Sequence, residues 1–356
     1  MKLLHSADWH LDAPMSGKTP AQNQFLRQEL LAVPDKVAKL CRELDCQILL
    51  LSGDLFDGTY TKESYQAVYR ALESIRIPVF IAPGNHDFCS PASPYLAEPW
   101  PENVHIFTHA TMESFPLPEL NCTLYGAGYE SMDCPGLLKD FHAEADTKWK
   151  IGILHGDPTV AGSPYCPVTS RQVRDSGLDY LALGHIHKGG QSRSGDTLCA
   201  WPGCPMGKDF GESGIKGVLL VTLDDTVETQ EIPMITPRFF DEKTDAGDDA
   251  REAVASLLPA APTQDFYRIT LTGYSNPIDT EALLSTFPHV PNLELRDQTL
   301  PEPDLWNSVG EDTLEGVFFR ILQDNLDTQS QSLQRQIKLA ARISRQILDG
   351  QEVNLP

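Results

Sequence analysis

Lys2-Leu3-Leu4-His5-Ser6-Ala7-Asp8-Trp9-His10 opens the chain, and its pattern organises the next two hundred residues. A short apolar run of strand length ends in an acid and an imidazole two positions apart. If that strand end stays extended, Asp8 and His10 share one face. The same grammar recurs four times. Residues 47–51 form a short apolar run that leads into Gly53-Asp54. Residues 79–81 lead into Gly84-Asn85-His86-Asp87, residues 151–154 into His155-Gly156, and residues 180–183 into Gly184-His185-Ile186-His187. Helical spacing fills residues 23–44, interrupted at Pro34, and residues 64–75. Buried strands alternating with helices make an α/β fold, whose sites gather at the carboxyl ends of the strands. Further strands at 198–200, 217–222 and 229–232, joined by Gly-rich turns, favour two sheets flanked by helices over one doubly wound sheet.

The chain has 356 residues, long enough for about two domains, and its 41% apolar content supplies a packed core. Fifty acidic and 28 basic residues leave a formal charge of -22. That balance argues against a protein that coats nucleic acid through a broad basic face. It leaves room for a metal-dependent nuclease, because bound cations reverse the local potential. Eight cysteines form no Cys-x-x-Cys pair. Cys41/Cys46 and Cys199/Cys204 are the nearest couples, so a zinc ribbon is disfavoured and reduced core or loop thiols are expected. No long apolar segment reads as a signal peptide or membrane span, and a cytoplasmic protein is expected.

Composition shifts after Pro237. The first domain is expected over 1–238. Residues 239–262, acidic and poor in apolar side chains at their start, read as a linker. A β-α-β unit follows within a small α+β domain at 263–327, with Asp279 as a helix cap and Pro301-Glu302-Pro303 breaking the pattern. Residues 328–356 carry a C-terminal helix. Leu333, Ile337, Ala340 or Ala341, Ser344 and Ile347 form its apolar side, and Arg335, Lys338, Arg342 and Arg345 its basic residues. Such a helix either closes its own domain or docks a partner.

The motif residues suit a phosphoester clamped between two divalent ions. Ions about 3.5–4 Å apart need a shared oxygen, which a carboxylate supplies and a neutral imidazole does not. Asp54 is placed for that bridge. Asn85 offers a neutral carbonyl oxygen, and His185 and His187 address adjacent ions. This mixed nitrogen and oxygen set fits Mn²⁺, Fe²⁺ or Zn²⁺ better than Ca²⁺, with Mn²⁺ the expected pair.

The segments His5–Asp12, Leu51–Asp57, Pro83–Asp87, His155-Gly156 and Ala182–His187 stand in the order found in the calcineurin-like metallophosphoesterases. Over residues 1–235 the chain resembles, within them, the Mre11/SbcD-like DNA repair exonucleases. The stretches Trp201–Pro205 and Gly207–Glu212 are similar to a further segment of the bacterial subgroup. The resemblance implies a four-layer sandwich of two mixed β-sheets flanked by helices, with a smaller α+β C-terminal domain. It implies one metal on Asp8, His10, Asp54 and His187, and a second on Asp54, Asn85, His155 and His185. It makes His86 the histidine facing the scissile phosphate and Asp57 the acid that orients it. It also implies DNA as substrate, exonuclease and single-strand endonuclease action, a Rad50/SbcC-like coiled-coil ATPase as partner, and a homodimer. A small-molecule phosphodiesterase or phosphatase, and a non-catalytic scaffold subunit, are the competing readings. Asp12 departs from the family pattern, which often has Gly there. It is expected at the surface, or else orienting His10 or touching solvent on the substrate side.

Overall fold

The computed structural model describes residues 1–247, 249–301, 304–326 and 329–350, apart from the side chains of Gln331 and Arg335. It divides into two compact units, Met1–Phe240 and Asp241–Pro356.

The first unit holds two mixed six-stranded sheets. The first sheet is built from β1 (Lys2–Ser6), β2 (Ile48–Leu51), β3 (Val79–Ile81), β4 (Val104–Ile106) and two later strands, β11 (Gly217–Leu223) and β12 (Val227–Pro233). Its order is β12-β11-β1-β2-β3-β4. Strands β1 to β4 run parallel, and β11 and β12 close that sheet antiparallel. The second sheet runs β5-β6-β7-β8-β10-β9. Its members are β5 (Glu113–Leu117), β6 (Cys122–Gly126), β7 (Trp149–His155), β8 (Tyr180–Gly184), β9 (Lys188–Ser194) and β10 (Thr197–Gly203). Its middle four strands are parallel, and β5 and β9 are antiparallel edges.

The sheets face each other across one core. Leu3, Ile48, Leu50, Phe80 and Val221 from the first sheet meet Leu124, Ile151, Ile153, Ala182 and Ala200 from the second, all essentially without solvent exposure. Both faces of β2 are buried, which is why its sequence is an unbroken Ile-Leu-Leu-Leu rather than an alternation. Burying a Leu or Ile side chain contributes roughly 1.5–3 kcal/mol, so this layer holds the two sheets in register.

Five helices belong to this unit: α1 (Pro20–Leu31), α2 (Val33–Glu43), α3 (Lys62–Ser74), α4 (Pro94–Ala97) and α5 (Ser170–Asp175). Pro34 starts α2 instead of breaking a longer helix, because a first-turn proline removes an N–H that has no helical partner. Asp12 has a structural task. Its carboxylate accepts from the Thr61 N–H and hydroxyl, both at 3.0 Å, and from the Ser64 hydroxyl, anchoring the start of α3.

The second unit contains a three-stranded sheet of β13 (Phe239–Asp245), β14 (Phe266–Thr272) and β15 (Leu293–Asp297), with α6 (Ala250–Leu257) and α7 (Thr280–Ser285). Residues 239–262 therefore are not a bare linker: they carry β13 and α6. The acidic run hid the strand because β13 is exposed over most of its length, while Ala246 and Val254 enter a small core with Ile269 and Leu271. The expected β-α-β unit is present, its strands parallel and α7 capped by Asp279. The break at Glu302-Pro303 and the boundary at Thr328 lie outside the described residues, as do residues 351–356.

Two further helices follow, α8 (Leu314–Leu326) and α9 (Gln331–Leu348). Leu305, Phe319 and Ala341 form their core. The stripe expected on α9 meets that core only in its middle: Ala341 is buried and Ile337 and Ser344 are half-buried, but Leu333, Ala340 and Ile347 are exposed. Arg342 and Arg345 point inward. Arg345 lies 4.3 Å from the Phe319 ring centre, pairs with Glu315 and donates to Ser308 Oγ at 2.9 Å, while Arg342 covers the Tyr274 ring at 4.5 Å. These two basic residues thus serve internal packing through their long stems and cation–π contacts.

Candidate metal centre

Every expected ligand segment leaves the carboxyl end of a parallel strand: β1, β2, β3, β7 or β8. The segments after β1 and β2 run side by side. The Asp8 N–H donates to the Gly53 carbonyl at 3.0 Å, and the His10 N–H to the Asp54 carbonyl at 2.9 Å. Asp8, His10, Asp54 and His185 all have positive φ, at 54°, 48°, 53° and 92°. Such backbone costs on the order of 1–3 kcal/mol per residue and persists only where surrounding structure enforces it. Part of that enforcement is Asp87. Its buried carboxylate accepts from the Gly84 N–H at 2.7 Å, the Leu55 N–H at 2.6 Å and the Tyr95 hydroxyl at 2.6 Å, locking the β2 and β3 loops together.

The two sheets approach closely at Gly184. A Cβ there would lie 2.0 Å from the Ser52 carbonyl oxygen and 2.9 Å from His155 Nδ1. Glycine is what lets the end of β8 press against the end of β2.

Around this contact the polar atoms converge in two overlapping groups. In one, His10 Nε2 lies 3.0 Å from His187 Nε2 and 3.8 Å from Asp54 Oδ2, with an Asp8 oxygen in the same cluster. In the other, His155 Nε2 lies 3.3 Å from Asp54 Oδ2 and 3.0 Å from Asn85 Oδ1, which is itself 3.3 Å from His185 Nδ1. Asp54 belongs to both. The His86 N–H holds its remaining oxygen, Oδ1, at 2.9 Å. All seven residues are buried or half-buried.

Hydrogen bonds on the far side set the ring tautomers. His10 Nδ1–H donates to Asp57 Oδ1 at 3.0 Å, His155 Nδ1–H to the Ser52 carbonyl at 2.9 Å, and His187 Nδ1–H to Glu212 Oε1 at 2.5 Å. In each case Nε2 is the nitrogen that faces the cluster, and its lone pair serves a metal once any proton there is displaced.

Burial alone would raise the Asp54 pKa. The neighbouring His155, with His10 and His86, instead holds it below the usual carboxylate range. His155 resists the same burial and is pushed up to about 10 by Asp54. The site thus concentrates negative charge that only cations, protons among them, can neutralise.

His86 lies at the exposed edge of the cluster, its ring 4.7 Å from that of His10 and its donor atom grouped with those of His10 and Asp54. Its side chain is half-exposed, and Nδ1 lies 2.8 Å from Asp57 Oδ1. That hydrogen bond is the main reason the His86 pKa is raised. Asp57 therefore serves two imidazoles through one oxygen, and those two hydrogen bonds, from His10 and then His86, keep its own pKa low.

The structure brings together all nine residues read from the sequence: Asp8, His10, Asp54, Asp57, Asn85, His86, His155, His185 and His187. It adds two carboxylates whose contacts were not foreseen, Asp87 and Glu212. Glu212 also accepts from the Lys208 N–H at 2.8 Å, and its pKa is held down to about 2 against the effect of burial, chiefly by the His187 hydrogen bond. Cys204 lies beside it, but burial pushes its thiol up to about 12, so it remains neutral.

The donor set fits two divalent ions sharing Asp54: carboxylate, amide and imidazole atoms with inward lone pairs. Residues 1–189 match the calcineurin-like phosphoesterase family. The chain belongs to that family. Among curated proteins it is similar to the uncharacterized metallophosphoesterase YhaO of Bacillus subtilis (strain 168), with 31% identity over 240 residues, 62% of this chain and 57% of the relative. It therefore spans little more than half of that relative's length. Among solved structures it is similar to TT1561 of Thermus thermophilus (16% identity, 65% of this chain and 98% of that chain, TM-score 0.41). It is also similar to a dimetal phosphatase from Danio rerio (11% identity, 65% and 95%, TM-score 0.41). Among the described residues, no helix is long and apolar enough to cross a membrane.

Proposed function

We propose that the chain is a metal-dependent phosphoesterase that cleaves small phosphodiesters. Asp8, His10, Asp54 and His187 would hold one divalent ion, and Asp54, Asn85, His155 and His185 the other. When bound, such ions polarise phosphoryl oxygens and lower the pKa of water. The chain's own part is to align the ester and move a proton. The Asp57 hydrogen bond favours the protonated form of His86, and His86 delivers a proton to the leaving alkoxide.

The observation that carries this reading is the position of His86: half-exposed at the open edge of the cluster, near His10 and Asp54, with its Nδ1 tied to Asp57 at 2.8 Å. The alcohol of a phosphoester leaves as an alkoxide, which such an acid protonates. The formal charge of -22 favours a small ester over a polyanion.

A second reading is supported by the second unit. Leu314, Phe318, Ile321, Leu333 and Ile347 leave apolar surface on α8 and α9, of the kind a partner helix covers. That surface suits an exonuclease acting on DNA with a Rad50/SbcC-like ATPase in the cytoplasm, or a homodimer. Turnover of a dinucleoside monophosphate, single-stranded DNA and duplex DNA, each with Mn²⁺, Fe²⁺, Zn²⁺ or Mg²⁺, separates the two. Efficient hydrolysis of the small diester, fastest with Mn²⁺, supports the first reading. Hydrolysis of DNA alone supports the second. No turnover of any of them refutes both.

A further inference from the structure

Beside His86 lies a cavity of about 280 Å³. Phe56 forms part of its wall and is buried. Tyr60 and Phe88 are half-buried, and Ser90, Ala92 and Ser93 line the remainder. The Tyr60 hydroxyl is engaged with Glu98 at 3.1 Å, leaving the ring itself as the available surface. Apart from His86, the single charged residue in the wall is Asp87, whose oxygens are already taken by backbone N–H groups and the Tyr95 hydroxyl. The Gly58 N–H donates to the His86 carbonyl at 3.0 Å, so the cavity edge and the His86 backbone form one tied segment.

We infer that this cavity is a leaving-group subsite that takes the planar ring of an uncharged alcohol, a nucleoside, during diester cleavage. The inference rests on the proposed phosphodiester hydrolysis and names its substrate class. Three features select the occupant. Apart from His86, which faces the scissile ester, the wall holds no basic side chain for a second phosphate, but it accepts a neutral ring. Aromatic side chains bind a nucleobase by stacking, which tolerates any base because each has a π-face. The volume lies just below the range for drug-sized ligands, so one ring system fits and a longer chain does not. The shared wall at His86 places the ring on the alcohol that receives the proton. Binding energy from that remote ring is then available to position the scissile bond.

The test uses the full chain loaded with Mn²⁺, its Phe88→Ala variant, and Ala92→Trp, which fills the cavity without removing an aromatic wall. Two measurements decide. The first is kcat/KM for release of nucleoside from a dinucleoside monophosphate, against release of methanol from a nucleoside methyl phosphate. The ratio of the two should fall about tenfold in each variant, the scale of one lost stacking contact. The second is calorimetric binding of free nucleoside, which the parent should show and Ala92→Trp should lose. An unchanged ratio, or equal nucleoside binding by parent and Ala92→Trp, overturns the subsite. A parent that binds nucleoside but hydrolyses neither diester overturns the proposed reaction while leaving the cavity assignment standing.

Discussion

The two six-stranded sheets make unequal contributions to one site. The first sheet supplies the acids Asp8 and Asp54, the amide of Asn85, and the His86–Asp57 pair. The second supplies His155, His185 and His187, with Glu212 behind the last. His10 is the one imidazole in the ligand groups that comes from the first sheet. The ligating carboxylates and proton delivery thus reside on one side, and most imidazole donors on the other. Neither half is a metal site alone. The site exists because the apolar layer between the sheets and the close approach at Gly184 hold the halves in contact.

The largest effect should come from the residue that both halves use. Asp54→Asn keeps the shape but removes the charge shared by the two clusters. Elemental analysis of the dialysed protein should show loss of both ions, and turnover should fall well beyond the roughly 10–100-fold typical of residues that only support a ligand. Retention of two ions with parental turnover would remove Asp54 from the centre of the comparison.

His86→Ala tests the first sheet's separate chemical role. Metal content should stay at the parental level while kcat falls roughly 10²–10⁴-fold, as for a lost general acid. A folded variant that has lost an ion would instead make His86 a ligand.

Glu212→Gln tests the second sheet. The amide can still accept from His187 Nδ1 but brings no charge, so metal affinity, read by competition with a chelator, should drop roughly 10–100-fold. Glu212→Ala should drop further, and restoration toward the parent by Gln would mark orientation of the ring. Unchanged affinity in both would make the 2.5 Å contact incidental.

How much of this was legible in the sequence follows the same division. The ligand strands are short apolar runs buried on both faces and ending in polar residues, a pattern that survives without structural context. The edge strand β9 is Lys-Gly-Gly-Gln-Ser-Arg-Ser, with nothing apolar to mark it, because an edge facing water needs no apolar face. β5 contains Pro116, which also suits an edge. β13 was hidden by its acidic, exposed residues. Within the site, the His, Asp and Asn donors stand in motifs, but Glu212 follows β10 by nine residues and reaches His187 only through the fold. Its one sequence signal was its place in the Gly207–Glu212 segment. Asp12 looked like a surface acid because its partners, Thr61 and Ser64, lie some fifty positions away. On α9, the helical period was right and Ala341 meets Phe319 and Leu305, but Leu333 and Ile347 toward the ends of the stripe stay exposed.

The smallest effect concerns a buried group that links the sheets without touching the cluster. His5 on β1 lies 2.8 Å from the Tyr180 hydroxyl on β8 and 2.8 Å from Ser52 Oγ after β2. Burial lowers its pKa to about 3. The unfolded chain therefore takes up the proton first, so the stability present above about pH 6.5 declines as pH falls toward 3. One such group contributes a slope of up to about 1.4 kcal/mol per pH unit. His5→Gln should show a shallower loss of thermal midpoint between pH 6.5 and 4 than the parent. Parallel curves would show that His5 is not the coupling group.

Crystals of the parent grown with Mn²⁺ and measured at the manganese absorption edge test the central claim most directly. The account predicts two anomalous peaks in each chain, both within bonding distance of Asp54, one sharing His10 and His187 and the other sharing Asn85, His155 and His185. A single peak, or two peaks confined to ligands from one sheet, would contradict it.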